Sequence, residues 1–200
     1  MNIKTHDERK MIATFEKFDS YNKQDLNQFI WNGKTYPQEY FMAIKLYEWV
    51  LKLDENASEA LLLASRCQHL GRWEIRRDSY PMDRVGYLSW RKKLSESHAT
   101  KASIILKEAK YSQSVIEEVE QIILKKGIKQ NTDVQTIENA LCLVFLEFQY
   151  ESFYPTHQET IVNILKKSLM KMDEKGHKCA MSLPFSSEGS SYIEQAIKLL

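Results

Sequence analysis

Arginine is scarce in this chain outside one stretch. Of the 28 Lys and Arg residues only seven are arginine. Six of those seven, Arg66, Arg72, Arg76, Arg77, Arg84 and Arg91, fall in RCQHLGRWEIRRDSYPMDRVGYLSWR at 66–91, a stretch with no lysine at all. Glycine and proline are also few, six and four in 200 residues, which disfavours a turn-rich all-β fold. The three cysteines, Cys67, Cys142 and Cys179, make neither an even disulfide framework nor a CxxC zinc pair. They read as free thiols of a reducing compartment. A net charge of +1 excludes a molecule-wide electrostatic surface for nucleic acid or membrane. The longest strongly apolar run, ALCLVFL at 140–146, is too short to cross a bilayer. The opening MNIKTHDERK is too polar for a secretory signal, so the expectation is a cytoplasmic protein with no membrane partner. Gly-rich phosphate loops, βαβ alternation and repeats are absent as well.

What is present is helical punctuation. The signals predict an all-α, single-domain helical bundle of seven to nine helices. Thr5 with Glu8 caps a first helix near 6–18, and 19–36 reads as a wrapping loop. Pro37 opens a helix near 37–53, and Asn56 with Glu59 opens one near 57–70 that Gly71 ends. After a connection at 71–82, Asp83 caps a long helix to about Ala109. Ser112 or Ser114 opens a helix near 113–126, and Thr132 with Gln135 caps one near 133–152. Thr156 with Glu159 precedes another, which Gly176 ends. Ser191 with Glu194 starts a short terminal helix after the flexible FSSEGSS. The chain therefore divides into an N-terminal helix and loop at 1–36, a helical domain at 37–185, and a linker with a terminal helix at 186–200.

The arginine stretch straddles the start of the long helix. Positions 84, 87, 91, 94, 98, 102, 105 and 109 step by three or four and share one face. They read Arg, Tyr, Arg, Leu, His, Ala, Ile, Ala, a cationic end descending into an apolar one with His98 between. His69 ends a helix that is apolar on nearly every side, and Gln135, Glu138 and Asn139 open the helix that carries ALCLVFL. A surface needing only positive charge would use lysine, as the rest of the chain does. Guanidinium offers a planar, bidentate donor that ammonium does not. That choice fits an anion pocket, and it equally fits internal ion pairs with Glu74, Asp78 and Asp83. Trp73, Tyr87 and Trp90 are core aromatics or pocket walls. Over 66–93, eight basic residues face three acidic ones, a local excess that suits a compact phosphorylated ligand better than an extended RNA surface.

The run Arg66-Cys67-Gln68-His69, Arg72-Trp73-Glu74-Ile75, Arg77, Tyr80-Pro81, Arg84, Gly86-Tyr87, Trp90-Arg91 and His98-Ala99 resembles an uncharacterised bacterial and fungal family, domain of unknown function 4202. Gln135, Glu138, Leu143–Glu147, Lys171-Met172 and Gly176-His177 fit the same pattern, over about residues 37 to 185. The chain departs from it at Arg76, where the family has Pro, and at Asn139, where it has Asp. The family's layout is in turn similar to the HD-domain metal-dependent phosphohydrolases. That similarity implies an HD-like helical fold and a divalent metal near His69, His98 and Asn139. Leu70 stands where the pair's Asp belongs, and Asn139 is neutral, so the expected carboxylate ligands are missing. The resulting expectation is a pocket for a phosphate-bearing or anionic small molecule. Arg66, Arg72, Arg77, Arg84 and Arg91 would clamp it, with Trp73, Tyr87 and Trp90 around it. His69 and His98 would be acid/base groups or metal ligands of a phosphohydrolase. The rivals are a non-catalytic binding module, an RNA-binding helper and a domain whose arginines only pair internally.

Overall fold

The structure, a computed structural model, describes the backbone of residues 3–200 and the side chains of residues 8–200. The fold is all-α apart from one small antiparallel hairpin. The described residues form two compact units, one ending at 47 and resuming over 57–126, the other of 48–56 and 127–200.

In the first unit α1 (Ile3–Asn22) is followed by β1 (Gln28–Trp31), β2 (Lys34–Pro37) and the start of α2 (Gln38–Leu53). Then come α3 (Glu59–Cys67), α4 (Arg84–Glu108) and α5 (Gln113–Ile123). Helices α3 and α4 pack on α5 and on α1. Phe18, Leu61, Leu63, Leu70, Leu106, Ile116 and Ile122 fill the space between them. The apolar half of the α4 face lies inward, with Leu94, His98 and Ala102 buried, while Arg84, Tyr87 and Arg91 stay exposed.

The expected loop at 19–36 is instead the last turn of α1 followed by the hairpin. Asn32 and Gly33 both have positive φ, 48° and 73°, the geometry that lets a two-residue turn match strand twist. Phe29 and Tyr36 of the hairpin pack on Phe41 of α2, at 4.8 and 5.2 Å between ring centroids. Pro37 ends β2 and does not open α2. The N-terminus of α2 is capped from a distance, since Glu39 N–H donates to Asp25 Oδ2 at 3.0 Å.

Asp83 caps α4 as expected, accepting from Gly86 N–H at 2.7 Å, and Ser112 caps α5. Ser58 caps α3 where Asn56 was expected. The side chain of Thr5 lies outside the described residues. Gly86 fixes the approach of the 71–82 connection to α4. A Cβ there would stand 2.1 Å from the Pro81 carbonyl oxygen and 2.8 Å from its carbon, both backbone atoms. Gly86→Ala is therefore expected to destabilise the protein by about 1–3 kcal/mol through overpacking, measured by urea unfolding.

The second unit contains α6 (Thr132–Val144), α7 (Tyr150–Phe153), α8 (Ile161–Lys171), α9 (Glu174–Ala180) and α10 (Ser187–Ile197). A π-helical turn, Phe145–Gln149, joins α6 to α7. Asn131 caps α6, not Thr132, and Thr160 precedes α8 without the expected Thr156 capping box. Gly176 lies inside α9, which Asp173 caps, so it does not terminate a helix. FSSEGSS is not a linker. Ser186 caps α10 by accepting from Gly189 N–H at 3.0 Å, and Tyr150 Oη donates to the Gly189 carbonyl at 2.8 Å. With Ile193 and Ala196 buried, α10 packs on α8 as part of this unit. No helix among the described residues is long and apolar enough to cross a membrane.

Candidate functional site

The 71–82 connection is irregular because Gly71 turns the chain at a φ of 71°, and two short 3₁₀ turns follow, Arg72–Glu74 and Arg77–Ser79. Trp90 pins this segment to α4 by donating its indole N–H to the Ile75 carbonyl at 2.9 Å. Between the connection, α4 and the start of α2 lies a cleft of about 380 Å³, whose walls include Glu39, Arg72, Trp73, Arg76, Arg77 and Trp90.

The six clustered arginines have different surroundings. Arg66 is 8% exposed and does not line the cleft. Its guanidinium pairs with Asp19 and lies 5.1 Å from the Phe15 ring centroid and 5.5 Å from that of Tyr47. The expectation that Arg66 clamps a ligand is thus replaced by an internal ion pair. Arg76, exposed, is engaged by Asp78, with Nε 3.0 Å from Oδ1. Arg72 lies in the cleft with Nε 3.6 Å from Glu39 Oε1 and its Cζ 5.4 Å from the Trp90 centroid. Arg77 meets no carboxylate among the described residues; it donates to two backbone carbonyls, Tyr80 at 3.1 Å and Asp83 at 3.3 Å. Arg91 donates to Tyr87 Oη at 3.2 Å. Arg84 is exposed at the start of α4 and is not part of the cleft wall. Of the carboxylates expected as partners, Glu74 is instead taken by Tyr21 Oη at 2.6 Å and Lys101 Nζ at 3.0 Å. Asp83 serves as the α4 cap.

His98 is buried at 3% exposure. Its Nδ1 lies 2.9 Å from the Leu70 carbonyl, so Nδ1 carries the proton of the neutral ring. Nε2 is buried and meets no hydrogen-bond partner among the described residues. Burial pushes the His98 pKa down to about 4, with the Leu70 hydrogen bond opposing it. His69 is half-buried, its ring centroid 5.8 Å from that of His98. Its pKa is pushed down, first by burial and then by the positive charge of Arg72. Neither histidine lines the cleft. Both are neutral near pH 7.

Glu39, which no sequence motif singles out, is a titratable group of the wall. It is 5% exposed, its Oε2 lies 3.6 Å from His69 Nδ1, and burial pushes its pKa up to about 7 against the pull of Arg72. The signal was limited to an acidic residue in the first turn of a helix, which ordinarily complements the dipole at an exposed end.

Asn139 belongs to the second unit and its amide is engaged there. Oδ1 accepts from Gln135 Nε2 at 3.0 Å and from Asp173 N–H at 3.1 Å, and Nδ2 donates to Asp173 Oδ1 at 2.8 Å. Among the described residues no three His, Cys, Asp or Glu side chains are grouped as a metal would require.

No curated protein and no solved structure matches the chain. A family model described as domain of unknown function (DUF4202) matches residues 12–193. That span holds both the arginine stretch and the cleft, and the chain belongs to this family.

Proposed function

We propose that the first unit binds a phosphate-bearing small molecule in this cleft. The observation that carries the reading is Arg77. Its guanidinium is half-buried and oriented by two neutral carbonyls, so its direction is fixed while no carboxylate among the described residues pairs with it. A guanidinium held in a fixed direction at a half-buried site is a strong donor to a phosphate oxygen. Arg72 adds a second guanidinium, and Trp73 and Trp90 give the cleft rigid walls.

Titration calorimetry with inorganic phosphate and a panel of phosphorylated metabolites tests this. Arg77→Lys keeps the charge and loses the fork, and is expected to weaken binding about tenfold or more. Arg76→Ala, at an exposed residue already paired with Asp78, is expected to change affinity little. If Arg77→Lys binds as the parent does, or if no phosphate compound binds, the reading fails.

Glu39 favours a catalytic extension of the same site. A carboxyl in the wall with a pKa of about 7 can hold or release a proton near neutrality, as a general acid or base of phosphate-ester hydrolysis must. A hydrolytic site would lose turnover in Glu39→Gln while keeping ligand binding. A site with no turnover of phosphomonoesters is a binding module.

A further inference from the structure

We infer that the ligand of this cleft carries several phosphates linked in a chain, because three arginines form a ladder spaced by aromatic rings. The inference rests on the phosphate-binding reading above. The ladder begins at Arg72, whose Cζ lies 5.4 Å from the centroid of Trp90. Arg77 is next, its Cζ 6.0 Å from Trp90 and 5.9 Å from Tyr87. Arg91 follows, its Cζ 5.9 Å from Tyr87. The two rings are neighbours, with centroids 6.0 Å apart. Each guanidinium therefore shares a ring with the next.

The spacing follows from the sequence. Tyr87, Trp90 and Arg91 stand at i, i+3 and i+4 on one face of α4. The two 3₁₀ turns bring Arg72 and Arg77 against that face. An aromatic face attracts a cation through its quadrupole and leaves the net charge in place. Along the ladder, among the described residues, only Arg72 pairs with a carboxylate, Glu39 at 3.6 Å. Three like charges held in series repel one another, and an anion with charges in series relieves that repulsion along its whole length. One orthophosphate at the Arg72–Arg77 end would leave Arg91 unused. The ladder also runs from the half-buried wall at Arg72 to the exposed surface at Arg91. A phosphoanhydride chain would enter with its terminal phosphate inward beside Arg72 and its continuation outward over Tyr87 and Arg91.

The test is calorimetric titration of the full chain with orthophosphate, pyrophosphate and tripolyphosphate at one fixed ionic strength. Affinity is expected to rise along that series, with tripolyphosphate about tenfold tighter than orthophosphate or better. Arg91→Gln, at an exposed position, is expected to remove most of that gain, read as the ratio of tripolyphosphate to orthophosphate affinity. Equal affinity for the three anions, or an Arg91→Gln variant that keeps the gain, overturns the ladder and leaves the single-phosphate site standing. No binding of any of the three overturns both. A short single-stranded oligonucleotide that binds more tightly than tripolyphosphate would also overturn it, in favour of a phosphodiester backbone.

Discussion

Replacing Arg66 with alanine is expected to destabilise the protein by about 3–5 kcal/mol, the usual cost of breaking a buried ion pair from one side. Arg66 is 8% exposed and is enclosed by Phe15 and Tyr47 while it pairs with Asp19. Alanine would leave the Asp19 carboxylate in that surrounding with no cation, and Asp19 Oδ1 already has no hydrogen-bond partner there. The loss is visible in urea unfolding, and the double variant Arg66→Met with Asp19→Leu is expected to recover most of it. Two apolar groups of similar volume remove the desolvation cost along with the attraction. Phosphate affinity of the folded Arg66→Ala protein should equal the parent's, in contrast to Arg77→Lys. A loss of less than 1 kcal/mol would show that Asp19 finds water or another partner when the guanidinium goes.

That contrast marks how far the sequence could be read. Six arginines in a lysine-free stretch said that guanidinium geometry matters, and the structure gives Arg66, Arg72, Arg77 and Arg91 four different surroundings. Sequence could not separate the buried pair from the cleft residues, because the deciding partners are remote. Asp19 is 47 residues from Arg66, and Glu39 lies two elements away from Arg72. The descent of Arg84, Tyr87, Arg91, Leu94 and His98 into the core was legible, since a helix repeats every 3.6 residues and one face follows from spacing alone. The hairpin was less so. Asn32-Gly33 is a turn signal, but QFIW and KTYP lack the alternation that usually marks flanking strands. The last helix was misplaced for a similar reason: FSSEGSS has the composition of a linker, and only the contacts of Tyr150 with Gly189 and of Glu151 with Ser186 make it a helix start.

Glu39→Gln is expected to stabilise the protein at pH 8 and to change the shape of its pH profile. Burial holds the folded-state pKa of Glu39 at about 7 against an ordinary value of 4.5. Between those values the folded protein binds a proton that the unfolded chain has released, so stability falls as pH rises and the penalty is complete above pH 7. Its size is on the order of 3 kcal/mol. His98 acts with the opposite sign. Its folded pKa of about 4 lies below the ordinary 6.5, so stability falls as pH drops through that interval, and the lowered pKa of His69 adds to the same trend. In the parent protein the Glu39 and His98 contributions oppose each other between pH 4.5 and 6.5 and largely hide one another. Glutamine cannot ionise, so the variant should show the histidine slope alone, rising from pH 4 to 6.5 and then level to pH 8. Urea unfolding at pH 5, 6, 7 and 8 reads both curves. The same substitution removes the Glu39 carboxylate from beside Arg72, so orthophosphate should bind more tightly to the variant than to the parent at pH 8. Should Glu39→Gln lower stability at pH 8, attraction to Arg72 outweighs the cost of burying the charge, and Glu39 is an ordinary ion-pair residue with no proton to exchange near neutrality.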